Sequence, residues 1–183
     1  LVGSTYVKQT QQVGSKGSDT ITIGLDPKGQ WTTLTQGNIW NEASVSNPDY
    51  VLNLTEGGND TVTITNGGDI MQDTQVWFGS GDDKLIMNNS AGGATQDIVG
   101  TDPNPVEIKL GEGNNLIDQN GAIYDAVITA GSGADVVKVT GNISGLATSI
   151  SLGDGADTLT VGGGVSLGAQ IDMGAGDDTV SVE

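Results

Sequence analysis

The stretch Ser151-Leu152-Gly153-Asp154-Gly155-Ala156-Asp157-Thr158-Leu159-Thr160-Val161 is answered one lap later by Asp172-Met173-Gly174-Ala175-Gly176-Asp177-Asp178-Thr179-Val180-Ser181-Val182. Each copy sets an apolar residue directly before Gly-x-Gly-x-Asp and follows the motif with an alternating apolar pair, Leu159/Val161 and Val180/Val182. Alternation on both sides of a glycine-rich bend reads as strand, tight turn, strand. Recurrence at a fixed period means that one structural unit is stacked many times.

Working outward from this pair, the fifth motif position recurs at Asp19, Asp60, Asp83, Asn115, Asp135, Asp157 and Asp178, with separations of 41, 23, 32, 20, 22 and 21 residues. The last four anchors define a lap of 20 to 22 residues, and the gap of 41 is close to two such laps. A degenerate coil using Leu34, Gly37, Asn38 and Ile39 is therefore expected between Asp19 and Asp60. The first two copies lack the leading glycine, which suggests a longer or bulged turn. Asn88 to Pro105, rich in Asn, Gly, Thr and Pro, reads as an inserted loop.

A second punctuation follows each anchor, at Asn66-Gly67-Gly68, Asn88-Asn89, Asn120-Gly121, Gly141-Asn142 and Gly162-Gly163-Gly164. Two strands and two corners close a coil. The expected fold is all-β: one continuous parallel β-solenoid of about eight stacked coils, irregular over residues 1–105 and regular over 106–183. At a strand spacing of about 4.8 Å the rod would be on the order of 40 Å long.

The composition fits a narrow core. Thirty glycines and a net charge of −17 stand beside only seven aromatics, so thin layers of Val, Ile and Leu supply most of the buried area. The chain has no Cys and no His, and its six cations are all Lys, which excludes a disulfide framework and a zinc site of the usual ligands. So acidic a chain repels nucleic acid and anionic membrane surfaces and attracts cations. No apolar run approaches a membrane span, the first twenty residues carry no signal-peptide pattern, and the chain opens at Leu1 as a fragment or processed product would.

In a parallel stack the fifth-position residues form one column of six Asp and one Asn, with further acids beside it at Asp82, Glu112, Asp154 and Asp177. Carboxylates one strand spacing apart repel, and nothing in so acidic a chain is expected to neutralise them. The glycines permit a bend that turns carbonyls inward, and carbonyl with carboxylate oxygen is the ligand set of a hard, irregularly coordinated cation such as Ca2+. A single copy is also an ordinary turn in which Asp caps its own backbone; the repetition favours the ion. Trp31, Trp40, Trp77 and Phe78 read as caps of the first coils ahead of a ligand platform.

At these residues the sequence resembles the bacterial RTX, or haemolysin-type, calcium-binding repeats of Gly-Gly-x-Gly-x-Asp form. The resemblance implies a parallel β-roll with Ca2+ held between neighbouring turns. Carried over by position, it marks Gly79, Gly81 and Asp83, then Gly131, Gly133 and Asp135, then Gly153, Gly155 and Asp157, then Gly174, Gly176 and Asp178, with Asn115 in place of an acid. The family repeats every nine residues and carries a glycine where this chain has Phe78, Leu110, Ala130, Leu152 and Met173; here the second corner lacks acids.

The function expected is a non-enzymatic, calcium-binding structural module of an exported bacterial surface or matrix protein, secreted or at the cell surface. Its partners would be calcium and further domains or copies joined through open solenoid ends. A virion fibre or decoration protein is the alternative. A polysaccharide-degrading β-helix enzyme ranks below both, because neighbouring acids such as Asp82 and Asp83 point apart and cannot face each other across a substrate.

Overall fold

Short runs that alternate apolar and polar residues cannot bury both faces, so each must lay one face on a shared core. In the computed structural model, residues 9–12, 17–18, 20–23, 50–54, 57–65, 68–89, 95–166 and 168–183 are described. The laps run β1 (Gln9–Gln12) and β2 (Thr20–Ile23); β3 (Tyr50–Asn53), β4 (Thr61–Thr65) and β5 (Ile70–Met71); β6 (Thr74–Trp77), β7 (Lys84–Asn89) and β8 (Ile98–Val99). Then come β9 (Val106–Gly111), β10 (Leu116–Gln119) and β11 (Ile123–Tyr124); β12 (Ala126–Ala130), β13 (Val136–Val139) and β14 (Ile143–Ser144); β15 (Ser149–Ser151) and β16 (Thr158–Val161); β17 (Gln170–Asp172) and β18 (Thr179–Val182).

Every pairing is parallel and joins equivalent strands of successive laps. The result is a parallel β-solenoid with three sheets: β1-β3-β6-β9-β12-β15-β17, β2-β4-β7-β10-β13-β16-β18 and the short β5-β8-β11-β14. Among the described residues no helix is long and apolar enough to cross a membrane.

Three particulars differ from the expectation. A lap has three sides, not two: Ile70, Ile98, Ile123 and Ile143 stack in register as a third sheet, extended by a bridge from Ile143 to Val165. Among the described residues each long sheet has seven strands, against about eight coils expected, with β1 paired directly to β3 and β2 to β4. Asp19 and the residues proposed for a degenerate coil between Asp19 and Asp60, like Trp31 and Trp40, lie outside the described residues.

The insertion between Asp83 and Asn115 is split by a strand. Met87 and Gln119 are partners, as are Ile98 and Ile123, so the extra residues fall on either side of β8, which keeps its place in the third sheet.

The core is a set of columns. Val62, Leu85, Ile117, Val137 and Leu159 stack from one long sheet, and Val76, Ile108, Ile128 and Ile150 from the other, each fully buried. Burying each such side chain contributes on the order of 1.5–3 kcal/mol. Trp77 and Phe78 point to opposite faces: Phe78 joins the core, while half-buried Trp77 lies on the outer face with Lys109 Nζ 4.8 Å from its ring centre. They do not make a joint platform.

Candidate functional site

The Gly-x-Gly-x-Asp turns lie at the corner between the two long sheets, stacked directly on one another. Their backbones continue the sheets around the bend: Gly81 N–H donates to Glu112 O (3.0 Å), Gly113 to Ser132 O (2.8 Å), Gly133 to Asp154 O (2.8 Å) and Gly155 to Ala175 O (2.8 Å). The first-position carbonyls of Gly79, Gly131 and Gly153 accept from Glu112, Asp154 and Ala175 at 3.1, 3.0 and 2.9 Å. This closeness requires glycine. Gly133 has φ +131° and a Cβ there would overlap the Gly113 carbonyl; at Gly174 it would overlap that of Gly153.

The fifth-position residues form the anticipated column, but they point inward. Asp60, Asp83, Asn115, Asp135 and Asp157 are all buried, at 0–1 % exposure. From Asp83 onward one side-chain oxygen accepts the N–H of the fifth residue one lap earlier. Asp83 Oδ1 accepts from Asp60 (2.7 Å), Asn115 Oδ1 from Asp83 (2.9 Å), Asp135 Oδ1 from Asn115 (2.8 Å), Asp157 Oδ1 from Asp135 (2.8 Å) and Asp178 Oδ1 from Asp157 (3.0 Å). The expectation that nothing in the chain can neutralise these acids is therefore corrected: amides of the neighbouring lap take one oxygen of Asp83, Asp135, Asp157 and Asp178, and a charge-assisted bond of this kind is worth about 1.5–3 kcal/mol.

The other side-chain atom differs between Asn and Asp. Asn115 Nδ2 donates to the carbonyls of its own turn, Gly111 O (3.3 Å) and Gly113 O (3.2 Å). Asp83, Asp135 and Asp157 put a second carboxylate oxygen in that role, and Oδ2 of each is buried with no hydrogen-bond partner. Burial pushes the Asp83 carboxyl up to about 6, with the Asp60 and Asp82 charges adding to the rise and the backbone N–H groups of Asp60 and Gly79 opposing it. Burial raises Asp135 as well, against hydrogen bonds from Asn115 and with the charges of Asp157 and Glu112.

The remaining acids face outward in other columns. Asp82 Oδ1 accepts from Asn114 N–H (2.8 Å) and Nδ2 (3.1 Å), and Asn59 Oδ1 and Asn114 Oδ1 accept from Asp82 and Ala134 (2.9 and 2.8 Å). This ladder has the opposite polarity to the inner one, since here the earlier lap accepts. Glu112 Oε2 accepts from both Ser132 N–H (3.0 Å) and Ser132 Oγ, which holds its carboxyl below the usual range. Asp154 and Asp177 are exposed.

The second corner is not free of acids, as the sequence reading had it. Asp69 Oδ1 accepts from Asp97 N–H (2.8 Å) and Asp97 Oδ1 from Ala122 N–H (2.7 Å), while Asn142 Oδ1 takes Gly164 N–H (2.9 Å). Two buried amides brace this corner: Gln96 Nε2 donates to Ile64 O (2.7 Å), and Gln119 Nε2 to Gln96 O (3.0 Å) and Ala122 O (2.8 Å). Sequence reasoning missed both glutamines. A polar residue at an inward register position, as Gln119 is opposite Met87, was the available signal.

Chemically, Asp83, Asp135 and Asp157 each offer one bare carboxylate oxygen beside turn carbonyls, with the Asn115 amide among them. That set suits a hard cation or a proton and no soft metal. Among the described residues no three acids converge on one point, so carbonyls would have to complete any ion's shell. No family model matches the chain, and neither a curated protein nor a solved structure matches it.

Proposed function

We propose that the chain is a calcium-stabilised structural module, a rigid β-solenoid spacer of an exported bacterial surface or matrix protein. The observation that carries this reading is the bare, buried Oδ2 of Asp83, Asp135 and Asp157 where Asn115 has a donor. A carboxylate oxygen sealed from water without a partner is costly, and since the neighbouring amide meets only the other oxygen, a cation from outside is a fitting counter-charge in so acidic a chain.

The residues that would hold the ion are Asp83, Asp135, Asp157 and Asp178 with the carbonyls of the paired glycines Gly79/Gly81, Gly131/Gly133, Gly153/Gly155 and Gly174/Gly176. Bound calcium would supply the positive charge that these oxygens lack. The carboxylates would keep Oδ1 on the neighbouring amide, so ion binding and the inter-lap ladder reinforce one another. Because the sites exist only when laps are stacked, binding free energy adds to folding free energy. A chain of this kind stays unfolded where calcium is scarce and folds after export.

A structural role, not an enzymatic one, is supported by where the acids point. Those of the turns are either sealed in the core or spread along outer columns, and Asp82 and Asp83 diverge.

The test is a calcium titration followed by circular dichroism and native mass. The reading expects β-type ellipticity and thermal stability to rise with calcium and to fall in excess chelator. Identical melts in both would sink it.

A further inference from the structure

We infer that Asn115 withholds its own lap from calcium: ions enter the Asp83 lap on one side of it and the Asp135 and Asp157 laps on the other, while the lap between stays closed without one. The inference rests on the calcium reading above and assigns it lap by lap. A turn is open to an ion where its oxygens lack a donor. In the Asn115 turn they have one, since Nδ2 stands 3.3 Å from Gly111 O and 3.2 Å from Gly113 O and donates to both. Atoms so spaced stand at the separation of neighbouring ligands around a calcium ion at about 2.3–2.6 Å. The amide therefore meets with its own hydrogens the carbonyls that would otherwise turn to the metal. Asp83, Asp135 and Asp157 set a carboxylate oxygen without a donor in the same place.

The other end of the same strand carries an independent sign. Gln119, fully buried at the end of β10, donates Nε2 to Gln96 O (3.0 Å) and Ala122 O (2.8 Å), and only its neutral Oε1 is left without a donor. Its register partners Met87 and Val139 are apolar, as is Val161 one lap further on. The laps of Asp83, Asp135 and Asp157 thus set an acid at one corner and an apolar side chain at the other. The Asn115 lap ties both corners to backbone carbonyls through side-chain amides, and neither tie calls for a charge.

Asn115 also parts the acids. Asp135 and Asp157 lie one lap apart, whereas Asp83 and Asp135 lie two laps apart, about 10 Å at a strand spacing of about 4.8 Å, and repel roughly half as strongly. They load as two groups with a self-closed lap between them. Without calcium, β9 to β11 are then the best-held part of the stack, and calcium adds the laps on either side.

Native mass spectrometry of the full chain in calcium counts the ions, and hydrogen exchange in chelator locates the held lap. Asn115→Asp, which replaces the donor by an oxygen, should bind one calcium more than the parent, and Asp135→Asn one fewer. In chelator the β10 amides of the parent should exchange about tenfold more slowly than those of β13 and β16, and Asn115→Asp should erase the difference.

A folded Asn115→Asp that binds no extra ion overturns the inference, as does a parent in which β10 is no better protected than β13 and β16. Should Asn115→Asp fold poorly, the count for Asp135→Asn decides, and an unchanged number of ions overturns the lap assignment. A parent that binds calcium while neither substitution moves the count removes this inference and leaves the calcium reading standing. A parent that binds no calcium removes both.

Discussion

Asn115 and Asp135 occupy the same place on successive laps, and they differ in one atom that decides the chemistry of the corner. Asn115 donates Nδ2 to the Gly111 and Gly113 carbonyls, while Asp135 presents a buried oxygen with no partner. One turn is closed by the chain itself, and its neighbour leaves a carboxylate oxygen without a donor.

Asp135→Asn should therefore stabilise the calcium-free protein. The substitution keeps the Oδ1 acceptor for Asn115 N–H and adds the donor that the turn carbonyls lack, a gain of about 1 kcal/mol. Urea unfolding in chelator measures it. A less stable variant would show that the asparagine of the preceding lap is not the pattern for its neighbours.

Removing the side chain acts in the opposite direction. In calcium, Asp157→Ala strips the acceptor from the buried Asp135 N–H at 2.8 Å and should cost about 1–3 kcal/mol. Asp102→Ala, on an exposed loop outside the column, should stay within about 0.5 kcal/mol of the parent. Equal effects in paired thermal melts would deny the column any special place.

The glycines make a third comparison. Gly133→Ala meets both a left-handed φ of +131° and the Gly113 carbonyl, and should cost about 3 kcal/mol. Gly164, whose Cβ would come no closer than 4.0 Å to Asn142 Oδ1, should accept alanine with a change within about 1 kcal/mol. Chemical denaturation of the two variants reads the difference directly.

Without calcium, stability should fall as pH rises. The Asp83 carboxyl sits at about 6 in the fold against an ordinary value of 3.8, so the folded chain binds the proton more tightly than the unfolded one. That stability is fully present below the unfolded value and is lost as pH rises through the folded one. The urea midpoint in chelator should drop across this window, and Asp83→Asn should flatten the drop. A midpoint that climbs over the same range would contradict the buried, uncompensated carboxyl.

These outcomes bear on what the chain discloses by itself. The repeat at 152–161 and 173–182 reveals the stacking, the strands flanking the corner and the glycine-bound turns, because period-2 alternation and Gly-x-Gly are strong local signals. The third sheet escapes notice because each of its strands is two residues long and offers one inward Ile, too short for alternation to register. The gap of 41 residues misleads for a related reason: length counts residues, whereas lap number depends on which strands pair, and β2 lies directly on β4. The inward aim of the acids is equally hidden, since motif spacing places Asp83 in a column without stating which way its oxygens face.

The most direct measurement is the calcium dependence of the melting temperature for the parent chain beside the triple variant Asp83→Asn/Asp135→Asn/Asp157→Asn. The account predicts that the parent gains stability steeply with calcium, while the variant starts higher in chelator and gains far less. A parent that melts at one temperature whatever the calcium, with a variant no more stable than it, would contradict the claim that bare oxygens at this corner await an ion.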